Sequence, residues 1–92
     1  MSFELGQVVM TRAVAETVKE HPEFSDEIAT AMARYVKGDW GDLGEEDAAM
    51  NDHAVIEKND RILAKYKTSR EALYIVTEWD RSSTCVMFVS DY

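Results

Sequence analysis

The sequence has little cysteine, proline and positive charge, and each shortage narrows the kind of protein it encodes. Cys85 is the only cysteine among 92 residues, so the chain has no internal disulfide and no second thiolate for a cysteine-based zinc site. Pro22 is the only proline, and no linker rich in proline, glycine or serine divides the chain. We therefore expect a single domain over residues 1–92, in a reducing cytoplasm.

Long apolar runs are also missing. No stretch approaches the roughly 20 consecutive apolar residues that a membrane-spanning helix needs. The first ten residues, MSFELGQVVM, have no basic leader followed by an apolar run, as a secretion signal would. The sequence therefore predicts a soluble cytoplasmic protein without membrane association.

Basic residues are outnumbered, with ten lysines and arginines against 18 aspartates and glutamates and a net charge of −8. Proteins that bind a phosphate backbone need cations to displace its condensed counterions. This composition argues against direct nucleic-acid binding and is a better match for a basic protein, a metal ion or a nucleic-acid-binding surface. The plain alternative is that the acidity only keeps a small protein soluble. The acidity is concentrated in residues 38–58, which hold seven carboxylates and one lysine.

The first half of the chain carries two helical signals. Thr11 is a suitable cap for a helix over residues 12–20, which Pro22 would close. Ser25 is a suitable cap for a second helix over residues 26–37, with Gly38 as its stop. The apolar residues of that second helix recur at helical spacing, and they are Ile28, Met32, Tyr35 and Val36.

A third helix is predicted over residues 44–57. Asp42 followed by Glu45 resembles a capping arrangement, and the acids of the first turn complement the helix dipole. The apolar stripe is weak and rich in small residues, with an inner side expected at Ala49, Met50, His53, Ala54 and Ile56.

The last third changes to the alternation of strands. Residues 62–67, 72–79 and 84–89 are separated by polar turns, which predicts an antiparallel meander, and residues 7–10 add a possible fourth strand at an edge. The fold class is therefore α+β, with two or three helices on a three- to four-stranded antiparallel sheet. The central strand is apolar on both alternations. If helices cover only one face, the other face is available to a partner or to a second copy in a homo-oligomer.

The stretch Gly38–Asp47, GDWGDLGEED, is the first candidate binding region, because it combines a large aromatic residue with dense carboxylates. Trp40 suits either a core position or an exposed hot spot, and we expect the pair Asp39 and Trp40 to face outward between two helices. The tentative partner-binding residues are Asp39, Trp40, Asp42, Glu45, Glu46 and Asp47. A secondary patch comprises Glu78, Trp79, Asp80 and Arg81, in which Trp79 is expected to be a core residue.

Catalytic and metal-binding alternatives have weaker signals. The acids of residues 39–47 and His53 are metal-ligand types, but they lack the register of an EF-hand, so no metal or cofactor is predicted. One alternative hypothesis is a small metal- or ligand-dependent enzyme using Glu78, Asp80 and His53, although no paired nucleophile accompanies them. A structural homodimer of unknown role is the other. The leading hypothesis is a non-catalytic acidic module that binds a protein.

Three motifs, GDWGDLGEEDAAMND, YIVTEWDRSS and the terminal SDY, resemble a family of small bacterial proteins of chromosomes, plasmids and mobile elements. Members are described as plasmid-related, and sometimes as a type I restriction endonuclease subunit M. The resemblance covers residues 36–92 and implies no activity. A methyltransferase role does not fit, because the chain has no glycine-rich nucleotide loop after a strand. The resemblance implies a mobile-element accessory or inhibitor that acts on a nucleic-acid-handling host protein.

Overall fold

The computed structural model describes residues 3–92, which form three helices and one four-stranded sheet. The helices are α1 (Arg12–Glu20), α2 (Phe24–Val36) and α3 (Glu45–Glu57). The strands are β1 (Gln7–Met10), β2 (Ile62–Tyr66), β3 (Leu73–Thr77) and β4 (Ser83–Phe88), and a short 3-10 turn, Val89–Asp91, follows them. The predicted α+β class is confirmed. Within residues 3–92, no helix combines the length and apolar character needed to span a membrane.

The helix signals read from the first half of the sequence are largely confirmed. The Thr11 hydroxyl accepts a hydrogen bond from the Val14 backbone N–H and begins α1. Gly38 has φ +81°, a left-handed conformation that glycine adopts without strain, and it ends α2 as predicted. Ser25 is not the cap of α2, because the helix begins one residue earlier and the Ser25 hydroxyl donates to the Pro22 carbonyl.

The third helix has the predicted place but a different start. Its N-terminal cap is Gly44, without a side-chain hydrogen bond, so the expected capping role of Asp42 is wrong. Glu45, Glu46 and Asp47 do lie in the first turn, where carboxylates complement the positive end of the helix. The predicted inner side is also partly wrong. Ala54 is buried as expected, but its buried companions are Asn51 and Val55.

The sheet has the strand order β1-β4-β3-β2. Strands β2, β3 and β4 form the predicted antiparallel meander, and β1 is the predicted fourth strand at an edge. However, β1 pairs with β4 in parallel, so the sheet is mixed rather than purely antiparallel. The reason is topological. Three helices and two strands separate β1 from β4, and such a long connection permits parallel pairing.

The helices cover one face of the sheet. Alternate residues of the meander point into this core and are inaccessible or nearly so: Ile62, Ala64, Tyr66, Leu73, Ile75, Val86 and Phe88. The helices contribute Val14, Phe24, Ile28, Ala31, Tyr35, Ala54 and Val55 to the same cluster. The other alternation lies on the opposite face, where Tyr74, Cys85 and Met87 are half-buried and Val76 is buried.

A chain of hydroxyl groups crosses the core. The Thr84 hydroxyl donates to the Leu5 carbonyl at 2.7 Å, and it lies 2.7 Å from the Thr77 hydroxyl, which lies 2.7 Å from the Tyr35 hydroxyl. Each hydroxyl has one proton, so Tyr35 donates to Thr77, and Thr77 donates to Thr84. The chain satisfies polar groups that are almost fully buried, and it links α2, β3, β4 and the N-terminal segment.

The free edge of β2 is sealed by the rest of the chain. The Asn51 side chain donates to the Leu63 carbonyl at 2.8 Å and accepts from the Leu63 N–H at 3.3 Å. The Lys65 N–H donates to the Trp40 carbonyl, and the Lys65 carbonyl accepts from the Asp42 N–H. These contacts occupy the groups that an unprotected edge would offer to another strand.

Candidate functional site

Trp40, the centre of the acidic stretch, is a core residue. Its side chain is 5% exposed, and its ring lies 5.6 Å from that of Tyr35 and 5.9 Å from that of Phe3. The indole N–H donates to the Asp52 carboxylate at 2.9 Å, so the polar end of the ring is satisfied. The expectation that Trp40 faces outward is therefore wrong, and this side chain is inaccessible to a partner.

Asp39 lies at the surface but has a structural role. Its carboxylate accepts two hydrogen bonds from the Arg34 guanidinium, at 2.7 and 3.1 Å, and a third from the Gly41 N–H. The Arg34 hydrogen bonds hold the pKa of Asp39 below its usual value, with a further contribution from the Gly41 N–H. The Asp39 carbonyl accepts from the Tyr66 hydroxyl at 2.8 Å. These contacts fix the backbone that carries Trp40 over the edge of β2.

The other carboxylates of the predicted site are exposed. Asp42 lies 4.0 Å from the Lys67 ammonium, a distance at which a surface pair contributes little. Glu45, Glu46 and Asp47 are exposed in the first turn of α3, and no ion pair within residues 3–92 involves them. The structure thus divides the acidic stretch into a buried structural part and an exposed, uncompensated part.

The outward side of α3 combines this charge with apolar side chains. Met50 is 64% exposed and Ile56 is 72% exposed. His53, which lies between them in the sequence, and Glu57, which follows Ile56, are exposed as well. We call Glu46, Met50, His53, Ile56 and Glu57 the α3 surface. The helix has five acidic residues and no lysine or arginine. Sequence reasoning missed the exposure of Met50 and Ile56, although a helical wheel centred on Asn51, Ala54 and Val55 places both outside.

Trp79 differs from Trp40 in being exposed to solvent. It is 64% exposed in the turn Glu78–Ser82, which we call the Trp79 turn. The expectation that Trp79 belongs to the core is wrong, because β3 ends at Thr77 and Trp79 has left the sheet. The turn is closed by hydrogen bonds from the Arg81 N–H to the Glu78 carbonyl and from the Ser82 N–H to the Asp80 carboxylate. The Ser82 hydrogen bonds lower the pKa of Asp80.

Arg81 holds this turn against the end of α3. Its guanidinium donates to the carbonyls of Glu78 and Trp79 within the turn, and to those of Ala54 and Asp60 in and after α3. Arg81 has φ +60°, a left-handed conformation that is unusual for a side chain with a Cβ. The predicted patch is therefore split, since Arg81 points inward and organises the turn that exposes Trp79.

Replacing Arg81 by alanine is expected to lower the free energy of unfolding by about 2–3 kcal/mol, because four carbonyls lose a charged donor. Replacement by glycine removes the same hydrogen bonds but fits φ +60° without strain, so we expect a loss smaller by about 1 kcal/mol. Urea unfolding followed by circular dichroism measures both. An alanine variant within about 0.5 kcal/mol of the wild type would contradict this role.

The structure does not gather the residues of the enzyme hypothesis into one cleft. His53 shares a shallow groove with Ala49, Met50, Ala54 and Asp60, and neither Glu78 nor Asp80 lines it. Within residues 3–92, no group of three or more histidine, cysteine, aspartate or glutamate side chains has an arrangement suited to a metal ion.

The sheet face opposite the helices carries the lone thiol. Burial raises the pKa of Cys85, and the nearby carboxylates of Asp91 and Glu78 raise it further, so the thiol favours its protonated form. On the same face, the Tyr92 ring packs edge-on against Tyr74 at 5.4 Å, and the Arg61 guanidinium lies 5.6 Å from the Tyr92 ring. The chain's own last residue thus covers part of this face.

Comparisons with protein-family models, with curated proteins and with solved structures found no match for this chain.

Proposed function

We propose that the protein is a non-catalytic acidic module that binds a protein with a basic surface, and that it does so through the α3 surface and the Trp79 turn. The observation that carries the proposal is the exposure of three large apolar side chains, Met50, Ile56 and Trp79, beside uncompensated carboxylates. Exposed apolar side chains of this size contribute little to the stability of the fold. A partner that covers them gains apolar contact area.

Charge supports the choice of partner. Glu46 and Glu57 on α3, and Glu78 and Asp80 around Trp79, are exposed. A basic surface would be attracted to them over the range of salt-screened electrostatics, and the net charge of −8 would speed the encounter. A phosphate backbone would be repelled by the same field. The partner class therefore remains a protein, rather than nucleic acid or membrane.

Rigidity supports the use of Trp79 as an anchor. Arg81 holds its turn through four carbonyls, so the indole is presented by a fixed backbone. Tryptophan is enriched among the hot spots of protein interfaces, which lie where a partner excludes water. A backbone that is fixed before binding also lowers the entropy cost of binding. Binding would cost little conformational entropy at this position.

The resemblance noted from the sequence suggests the biological setting. A mobile-element accessory or inhibitor would meet nucleic-acid-handling host proteins, whose binding surfaces are basic, in the cytoplasm. An acidic module would occupy such a surface in competition with nucleic acid. The motifs GDWGDLGEEDAAMND and YIVTEWDRSS span the acidic stretch, α3 and the Trp79 turn.

Affinity purification from a bacterial host, followed by binding measurements on the captured protein, tests the proposal. We expect Trp79→Ala to weaken binding by about 30-fold or more, as hot-spot truncations do. We expect the double variant Glu46→Gln, Glu57→Gln to weaken binding less, and to flatten its salt dependence. Both variants replace exposed side chains and should fold normally.

The matched control is Glu20→Gln combined with Glu23→Gln, which removes the same two charges from exposed positions outside the α3 surface. It should leave the affinity nearly unchanged. A captured partner that binds Trp79→Ala and the α3 double variant as tightly as the wild type would refute the proposal. An active-site ligand found instead by a thermal-shift screen with divalent ions and metabolites would favour the alternative enzyme.

A further inference from the structure

The two edges of the sheet are treated differently by the chain. The β2 edge is closed by Asn51 and by the backbone of residues 40–42, as described above. Within residues 3–92, the β1 edge has no such cover. Each residue of β1 is exposed, and three of its four residues are large and apolar, with exposures of 50% for Val8, 38% for Val9 and 45% for Met10.

The backbone of β1 alternates between its neighbour and the open side. The N–H groups of Gln7 and Thr11 donate to the Ser82 and Val86 carbonyls of the β4 side. In a parallel ladder both backbone groups of a residue point the same way, and alternate residues point in opposite directions. Val8 and Met10 therefore direct both their N–H and their C=O groups away from the sheet. Outside the strand ladders, no backbone hydrogen bond within residues 3–92 involves them.

The outward backbone groups of Val8 and Met10 can pair with the same groups of a second β1. If a second β1 runs antiparallel, with a two-fold axis at Val9, then Val8 of each copy lies opposite Met10 of the other. Each of these two pairs exchanges two hydrogen bonds, which gives four in all. An axis at Val8 or at Met10 would place that residue opposite itself and allow only one such pair within the strand. The arrangement centred on Val9 uses all the outward groups.

Charge also favours a second copy over other strands. Glu4 precedes the strand and Arg12 follows it, and both are exposed, although Arg12 also pairs with Glu16 of α1 at 2.9 Å. An antiparallel pair brings the acidic end of one copy towards the basic end of the other. The strand itself, QVVM, is uncharged, so two molecules of net charge −8 would meet at a neutral segment of their surfaces. Exposed edge strands in monomers usually carry a charge or a proline that prevents this pairing.

We propose that the protein forms a homodimer by antiparallel pairing of β1 with β1 of a second copy, centred on Val9, which joins two sheets into one of eight strands. The apolar side chains of Val8 and Met10 are then covered by those of the other copy. The interface lies at the opposite edge of the sheet from β2 and uses neither the α3 surface nor the Trp79 side chain, although Gln7 of β1 donates to the Ser82 carbonyl of the Trp79 turn. The dimer and the proposed protein binding therefore use different side chains.

Cysteine cross-linking tests the pairing and its register. Cys85 is aligned with Val9 in the β1–β4 ladder, so it is first replaced by serine to prevent a bond within one chain. At a Val9 axis the two Val9 residues form a non-hydrogen-bonded pair with Cα atoms about 4.5 Å apart, within the range of a disulfide. Val9→Cys is expected to oxidise to a covalent dimer of twice the 10.5 kDa chain mass.

The neighbouring positions are the controls. Val8→Cys alone and Met10→Cys alone should cross-link poorly, because each residue lies diagonally from its own copy at about 7–8 Å. A mixture of the two variants should give a covalent heterodimer. Equal cross-linking at all three positions would indicate random collision, and it would overturn the proposal, as would the absence of a Val9→Cys dimer in protein with native circular dichroism.

Light scattering without cross-linking gives a second test. Wild-type protein should have the mass of a dimer, and Val9→Lys should raise the dissociation constant by more than about tenfold by placing two like charges at the axis. Val9→Thr, which keeps the branched shape without charge, should remain dimeric. A wild type that stays monomeric up to about 1 mM would overturn the proposal.

Discussion

Replacing Trp40 by alanine is expected to lower the free energy of unfolding by about 3–5 kcal/mol, the range measured for large aromatic residues removed from cores. The side chain is 5% exposed and contacts the rings of Phe3 and Tyr35. Its loss would leave a cavity and would also leave the Asp52 carboxylate without its indole donor. Since a domain of this size is stabilised by about 5–15 kcal/mol, the variant would be close to unfolding.

Urea unfolding followed by circular dichroism measures this effect, and two further variants make the result specific. Trp40→Phe keeps most of the packing and loses the indole hydrogen bond, so we expect a loss of about 1–2 kcal/mol. Trp79→Ala truncates the exposed tryptophan and should change stability by less than about 0.5 kcal/mol. If Trp40→Ala were as stable as Trp79→Ala, the assignment of Trp40 to the core would be wrong.

The contrast between the two tryptophans shows what local sequence patterns cannot predict. Both are flanked by carboxylates, so local composition gives them the same character. Extending the strand pattern to residue 79 places Trp79 on the same face as Leu73 and Ile75. In the structure the strand stops at Thr77, which occupies the core position because Tyr35 and Thr84 satisfy its hydroxyl. Trp40 is buried against Tyr35 and Phe3, and the contact with Phe3 is distant in sequence.

Local signals did predict the elements themselves. Thr11 and Gly38 mark helix ends by their own chemistry, and the dense β-branched and aromatic residues of β3 identify a strand without reference to the rest of the chain. The parallel direction of β1 has no local signature, because it depends on how the chain returns to the sheet. The weak stripe of α3 misled the assignment of its faces for a related reason. Asn51 is polar and is nevertheless buried, since it seals the edge of β2.

The two halves of the acidic stretch therefore have different structural roles. Its first half, through Asp39, Trp40 and the Asp42 backbone, closes one edge of the sheet and fixes the end of α2. Its second half supplies the exposed carboxylates of α3. Because the β2 edge is sealed, β1 is the edge that remains open, so the same stretch also determines where the proposed self-association would occur. The proposed protein binding and the proposed dimer would use different side chains.

Raising the pH above 10 is expected to destabilise the protein steeply. Burial raises the pKa of Tyr35 to about 12, against a lowering contribution from Arg81. Burial also raises the pKa of Tyr66, with added effects of Tyr35 and Asp39. The unfolded chain loses these phenolic protons near pH 10, whereas the folded chain keeps them. The contribution of these two tyrosines to stability is therefore fully present well below pH 10 and is lost as pH rises from the unfolded towards the folded pKa.

Tyr35 alone accounts for a loss of about 2 kcal/mol between pH 10 and pH 12, and of about 3 kcal/mol once the hydroxyl is ionised in both states, because each unit of pKa shift corresponds to about 1.4 kcal/mol. Urea unfolding at a series of pH values measures the slope. Tyr35→Phe removes the titrating group and should have a slope smaller by one proton above pH 10, although it is less stable at pH 7 because Thr77 loses its donor. Equal slopes for Tyr35→Phe and wild type would show that the Tyr35 hydroxyl titrates alike in both states. That result would contradict the burial of the Tyr35 hydroxyl in the chain it forms with Thr77 and Thr84.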